Sequence, residues 1–171
     1  VVVKGQYPDL TALLDEDFNT VVKMLRLARW IPGSQDFDSW LATLHTQLLA
    51  EIDYPREHRM AQAMSDGLSR HAALQNAPVA IRIPQFWPEL CSTGVLTMEY
   101  IEGNRAASAK VAALPQATRN ELGKLMLRLF FAEVFDLGFV QTDPNFGNYL
   151  INADGSELTL LDFGSVFELD Q

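Results

Sequence analysis

Gln141-Thr142-Asp143-Pro144-Asn145-Phe146-Gly147-Asn148, with Asp162-Phe163-Gly164 beginning fourteen residues after Asn148, is the stretch that decides the fold. The first segment follows Gly138, a helix stop. It precedes two apolar runs, Tyr149–Asn152 and Leu158–Leu161, separated by Asp154-Gly155. That pattern predicts a loop, a hairpin and a second loop. Asn148 and Asp162 offer one amide and one carboxylate oxygen, hard donors of the kind Mg²⁺ takes. Phosphoryl transfer needs such ions, because charge develops on the β- and γ-phosphates. Asp143 would then orient or deprotonate an attacking hydroxyl or water. Each motif alone says little, since Asp and Gly favour turns for their own reasons. The ordered pair, on this loop–hairpin–loop, is what carries the reading.

Working outward, Thr118-Arg119-Asn120-Glu121 has capping-box spacing and predicts a long helix through about Leu137, stopped by Gly138. Upstream, Gly94–Tyr100 reads as a strand, and Ile101-Glu102-Gly103 as a turn. Val79–Ile83 reads as another strand, closed by Pro84. Val1–Lys4 is a β-branched run and predicts a buried strand. Apolar residues from Leu10 to Ala28 recur at helical spacing, in a helix running to Trp30 and ended by Pro32-Gly33. Trp40, Leu41, Leu44, Leu48 and Leu49 mark a second amphipathic helix. Pro55 forces a break at Asp53-Tyr54 and suits the first position of a third helix, which should stop near Ser65 at Asp66-Gly67. Strands at the start and helices in the later half indicate an α+β fold.

Asp-x-x-x-x-Asn is the spacing of the protein-kinase catalytic loop. Such a site also needs a strand lysine on the phosphates, held by a helix glutamate. Lys4 ends the first strand, and Glu57 lies on the helix after Pro55. The plainer readings stand beside these: a solvated lysine at a strand exit, and a first-turn glutamate complementing the helix dipole. The strand ending at Tyr100 would serve as a hinge, with backbone groups of Glu99 and Ile101 pairing with an adenine edge. A simple strand and turn is the alternative.

The 171 residues carry 13 Lys plus Arg against 22 Asp plus Glu, for a net charge of -9 and a pI near 4.7. An acidic surface repels phosphate backbones, which argues against nucleic acid as a partner. Hydrophobic residues make up 48% and charged residues 20%, enough for a real core and against wholesale disorder. Cys91 is the single cysteine, so there is no internal disulfide and no CxxC metal site. The greasiest stretch, Leu125–Gly138, is interrupted by Arg128, Glu133 and Asp136 and does not read as a membrane span. His45, His58 and His71 read as helix-surface or packing residues. Cys91, Trp30, Trp40 and Trp87 read as core. Val1 in place of Met, with a strand already under way, suggests a piece of a longer protein.

Three segments resemble the UbiB/ADCK (AarF) family of atypical protein-kinase-like proteins: Glu51-Ile52-Asp53-Tyr54-Pro55-Arg56-Glu57, Leu96–Gly103, and Gln141–Asn148. The first is similar to the family's Glu-x-Asp motif, followed by the helix glutamate. The last is similar to the coenzyme Q kinase-like branch, which has Gln-Thr-Asp-Pro-Asn at this loop. The long helical insert between Lys4 and Glu57 also fits. The resemblance implies a kinase-like fold, with residues 1–100 forming an N-lobe part carrying the insert and residues 101–171 a C-lobe part. It implies that the first two strands and an Ala-rich nucleotide loop lie before Val1, and that most of the C-terminal lobe lies beyond Gln171.

The same resemblance implies ATP and Mg²⁺ as cofactors, and ATPase or small-molecule kinase activity. It ties the protein to ubiquinone or other isoprenoid-lipid metabolism, with lipid or lipid-biosynthetic proteins as partners. Peripheral membrane association would place it in the bacterial cytoplasm at the inner-membrane face, or at a mitochondrial or plastid membrane. It does not specify an oligomeric state. By position, Lys4 would contact the α- and β-phosphates and pair with Glu57. Glu51 and Asp53 would form the acidic motif facing the site and engaging an N-terminal extension. Asp143 would be the catalytic aspartate, and Asn148 and Asp162 the Mg²⁺ ligands. Gln141-Thr142 replaces the His-Arg of ordinary kinases, and Lys4-Gly5-Gln6 does not match the family's Lys-x-Gly-Gln signature. Two other readings stay open: a nucleotide-binding pseudokinase scaffold, and a phosphotransferase of the aminoglycoside or choline type.

Overall fold

Three small sheets and six helices, described by a computed structural model over residues 1–28, 35–143 and 145–169, make up an α+β architecture. Trp30 and Pro32-Gly33, the expected end of the first helix, lie outside the described residues. Strand β1 (Val2–Gly5) pairs antiparallel with β3 (Val95–Met98), and Lys4 stands opposite Leu96. The four-stranded sheet has the order β2 (Ala80–Arg82), β7 (Glu157–Leu160), β6 (Tyr149–Ile151), β4 (Asn104–Arg105). Strands β6 and β7 form the expected hairpin. Its turn contains Gly155 at φ 77°, where an added Cβ would sit 2.4 Å from Thr118 Cγ2. Only glycine reconciles that backbone with that approach. The third sheet joins β5 (Phe139–Gln141) to β8 (Val166–Glu168).

Between β1 and β3 lie α1 (Leu10–Leu27), α2 (Gln35–Ala50), α3 (Tyr54–Arg70) and the short α4 (Ala72–Gln75), with β2 closing the run. Helix α3 starts as its sequence dictates. The Asp53 carboxylate accepts the Arg56 amide at 2.9 Å and Pro55 sits in the first turn. It then passes through Asp66-Gly67 to Arg70, contrary to the expected stop. Gly67 serves packing instead: a Cβ there would lie 2.9 Å from Leu137 Cδ2. After β4 come α5 (Ala109–Ala112) and α6 (Gln116–Ala132). Helix α6 begins three residues earlier than the capping box would place it, with Pro115 at the N-cap and no side-chain cap. Its end gives way to one π-helical turn, Glu133–Leu137, stopped by Gly138 at φ 74°.

Buried Met64 and Leu68 of α3, Leu122, Leu125 and Leu129 of α6, and Ile151, Leu158, Leu160 and Phe163 around the hairpin form one core. Each fully buried side chain of this size contributes about 1.5–3 kcal/mol. Three expectations are corrected. Strand β1 is not buried: Val1 and Val3 are exposed, because it belongs to a two-stranded sheet with one open face, and only Val2 and Lys4 turn inward. Residues 101–103 form no turn and no regular element, and Gly103 permits a close approach to Leu150. Trp40 is 53% exposed on α2 rather than in the core.

Candidate active site

Register along β1 and the buried stripe of α3 bring the first pair together. Lys4 faces inward opposite Leu96, and Glu57 opens the stripe Glu57, Ala61, Met64, Leu68. Lys4 Nζ donates to Glu57 Oε1 at 2.5 Å, with Glu57 only 3% exposed. Burial pushes the Glu57 carboxyl up. The Lys4 ammonium pulls it back, and the Asp162 carboxylate pushes it up again. The Asp162 carboxylate is thus among the charges that act on the glutamate holding Lys4.

The β6–β7 hairpin brings the second set together. Tyr149 opposes Leu160, so Asn148 lies beside Leu161, whose amide donates to the Asn148 carbonyl at 3.0 Å. That seats Asn148 next to the residue before Asp162. Asn148 Nδ2 donates to Asp143 Oδ2 at 3.0 Å, and the Gly164 amide donates to Asp162 Oδ1 at 2.9 Å. Asn148 Oδ1 and Asp162 Oδ2 remain without a protein partner among the described residues. Two hard oxygens of this kind fit Mg²⁺, which uses one or two protein ligands and completes its octahedron with phosphates and water. Among the described residues, no group of three or more His, Cys, Asp or Glu forms an all-protein metal cage.

Glu133 is the site-adjacent residue that sequence reasoning missed. It is buried, and its Oε2 accepts the Gln141 amide at 3.2 Å. Burial pushes its carboxyl up to about 7, with the Gln141 amide pulling the other way. Gln141 Nε2 in turn donates to the Asp162 carbonyl at 2.7 Å, while its Oε1 is buried with no partner among the described residues. Burial also raises the Tyr149 phenol, assisted by Glu133 and Asp143. The available signal was positional: Glu133 falls four residues after Leu129 on the buried stripe of α6.

The acidic motif separates in space. The Glu51 carboxylate accepts the Ser165 hydroxyl and borders a cavity of roughly 750 Å³ shared with Asp143, Thr43 and Gly164. Asp53, spent on capping α3, borders a different cavity with Gln6 and Tyr7. At the strand end, the Glu99 amide donates to the Gln85 carbonyl at 2.8 Å and the Glu99 carboxylate binds Arg82 at 2.6 Å. The Glu99 carbonyl and Ile101 amide make no backbone bond among the described residues. The histidines stand apart: His45 on Asp15, His71 on Asp136, His58 against Phe86. Cys91 is half-buried and accepts the Thr97 amide.

A profile of the ABC1 atypical kinase-like domain matches residues 1–171. The chain belongs to the ABC1 atypical kinase-like family. It is 33% identical over 171 residues to the mitochondrial atypical kinase COQ8 of Schizosaccharomyces pombe, a match covering 100% of this chain and 26% of that protein. It is likewise 33% identical to mitochondrial COQ8 of Saccharomyces cerevisiae, across 96% of this chain and 31% of that one. The chain thus spans about a quarter to a third of the length of these relatives. A solved structure, the complex of Rv3197 with erythromycin from Mycobacterium tuberculosis, superposes with a TM-score of 0.71 at 25% identity. It covers 98% of this chain and 40% of that one. The fold is therefore kinase-like, and the domain is an atypical kinase domain related to COQ8. No described helix is long and apolar enough to cross a membrane.

Proposed function

We propose that this ABC1-family domain binds ATP with Mg²⁺ and transfers the γ-phosphoryl group to water or a small-molecule hydroxyl. We place that activity in ubiquinone or related isoprenoid-lipid metabolism, at a membrane surface. The carrying observation is the Lys4–Glu57 ion pair, whose buried glutamate also feels the Asp162 carboxylate, with Asp143 and Asn148 bonded to each other on the loop that leads into the β6–β7 hairpin. Residues 1–100 and 101–171 would act as the two parts of a kinase-like domain, with adenine held by the Glu99 carbonyl and Ile101 amide.

Lys4, oriented by Glu57, contacts the α- and β-phosphates. Asn148 and Asp162 hold Mg²⁺, which when bound neutralises charge on the phosphate oxygens. The attacking hydroxyl forms a bond to the γ-phosphorus as the bridging bond to the β-phosphate breaks. Its proton passes to Asp143 Oδ1, the oxygen not used by Asn148. Glu51 borders the acceptor side of the site, and Asp53 acts through the cap that starts α3. The test is MgATP turnover by full-length Asp143→Asn. Loss of turnover by about 10²–10⁴-fold with MgATP binding retained is expected for a removed general base. Unchanged turnover would sink the catalytic role of Asp143, and MgATP binding without turnover in the wild type would favour the scaffold reading.

A further inference from the structure

Each carbonyl from Gly164 to Val166 is bonded from another part of the chain. Arg56 Nη1 donates to the Gly164 carbonyl at 2.6 Å, and Arg56 Nη2 donates to the Val166 carbonyl. Thr142 gives the Ser165 carbonyl both its amide, at 2.9 Å, and its hydroxyl, at 2.6 Å. The Ser165 hydroxyl donates to Glu51. The segment directly after Asp162 is therefore fastened to the first turn of α3, to the end of α2 and to the catalytic loop.

Arg56 is the centre of this arrangement. It is half-buried, and among the described residues it forms no ion pair. A half-buried guanidinium whose two terminal nitrogens both donate to neutral carbonyls is not a surface charge serving solubility. Its planar fork spans both acceptors at once, which a single ammonium cannot do. Arg56 adjoins Glu57, so one helical turn grips the strand lysine and the Asp-Phe-Gly loop together. Gly164 is pinned on both sides: its amide on Asp162 Oδ1, its carbonyl on Arg56.

We infer that Arg56 is a positioning residue that sets the Asp162 carboxylate through Gly164 and couples it to the Lys4–Glu57 pair. A displacement of α3 that parted Glu57 from Lys4 would also pull Arg56 off Gly164. The inference rests on the Mg²⁺–nucleotide reading of the site. Arg56 itself touches neither nucleotide nor metal.

The experiment uses the full-length protein and Arg56→Lys, with Arg56→Gln as a second variant should one fold poorly. Thermal stability is followed with ADP in EDTA and with ADP across a Mg²⁺ titration. Hydrogen exchange is measured at residues 163–168. Arg56→Lys should raise the Mg²⁺ midpoint roughly 10–100-fold, the usual cost of losing a partner behind a metal ligand. Stabilisation by ADP in EDTA should stay at the wild-type value, and amides 163–168 should exchange faster. A uniform drop in melting temperature with an unchanged Mg²⁺ midpoint would overturn the inference and leave Arg56 a structural residue. If the wild type itself shows no Mg²⁺-dependent stabilisation, the nucleotide reading fails. The latch is then judged by exchange alone, and wild-type protection at 163–168 in Arg56→Lys would overturn it.

Discussion

Helices α1 and α3 have 18 and 17 residues and both are amphipathic, yet α1 buries no residue while α3 buries five. Helix α1 leans on α2 through Asp15–His45, Arg26–Asp38 and the Phe18–His45 ring contact, and leaves Leu13, Val21, Met24 and Leu27 exposed. Helix α3 lies against the hairpin and α6, and its covered face carries Glu57. Periodicity tells which face of a helix is apolar; it does not tell what covers it. The proposed chemistry sits along the covered helix, where burial of Glu57 lowers the local dielectric and strengthens its interaction with Lys4.

Core truncation should separate the two regions most sharply. Leu158, fully buried in the hairpin, should lose about 2–5 kcal/mol on substitution by alanine, measured by chemical denaturation. A loss under ~1 kcal/mol would mean that the hairpin does not anchor the core.

Next in size is a pH effect at Glu133. Its folded-state value near 7 lies above the ordinary 4.5, so the native state holds the proton more tightly than the unfolded chain. Its contribution is fully present below the ordinary value and is lost as pH rises towards and past 7, roughly 3 kcal/mol in all. Glu133→Gln keeps an acceptor for the Gln141 amide and cannot ionise. Denaturation at pH 5 and pH 8 should therefore show a flatter stability difference in the variant than in the wild type. Parallel differences would mean that Glu133 ionises without penalty.

The smallest expected effect is on the other helix. Met24→Ala on the open face of α1 should stay within about 0.5 kcal/mol of wild type. A loss comparable to Leu158→Ala would erase the contrast between the regions.

Much of the candidate site was legible because its residues fall in short, ordered motifs. Asp143, Asn148 and Asp162 flank a hairpin whose two apolar runs and Asp-Gly turn are plain in the sequence, and Pro55 marks where α3 begins. Glu133 was not legible, since a charged residue in an apolar helical run shows only as an interruption. The clasp on Gly164–Val166 was hidden for another reason. Arg56 and its acceptors lie 108 and 110 residues apart, and such pairings are set by tertiary packing. The β5–β8 pairing escaped notice for the same reason, because three-residue strands carry too little periodicity to read. The end of α3 was misread because Gly67 answers to the neighbouring Leu137 rather than to its own helix.

The most direct test is the thermal stability of full-length wild type and Asp162→Asn, titrated with ATP in EDTA and in Mg²⁺. A ligand binding only the folded state stabilises it by about 2.7 kcal/mol at 100 times its dissociation constant. The site described here predicts a Mg²⁺-dependent rise in the wild type that disappears in Asp162→Asn, with any Mg²⁺-independent part retained. An equal Mg²⁺-dependent rise in both proteins, or none in the wild type, would contradict it.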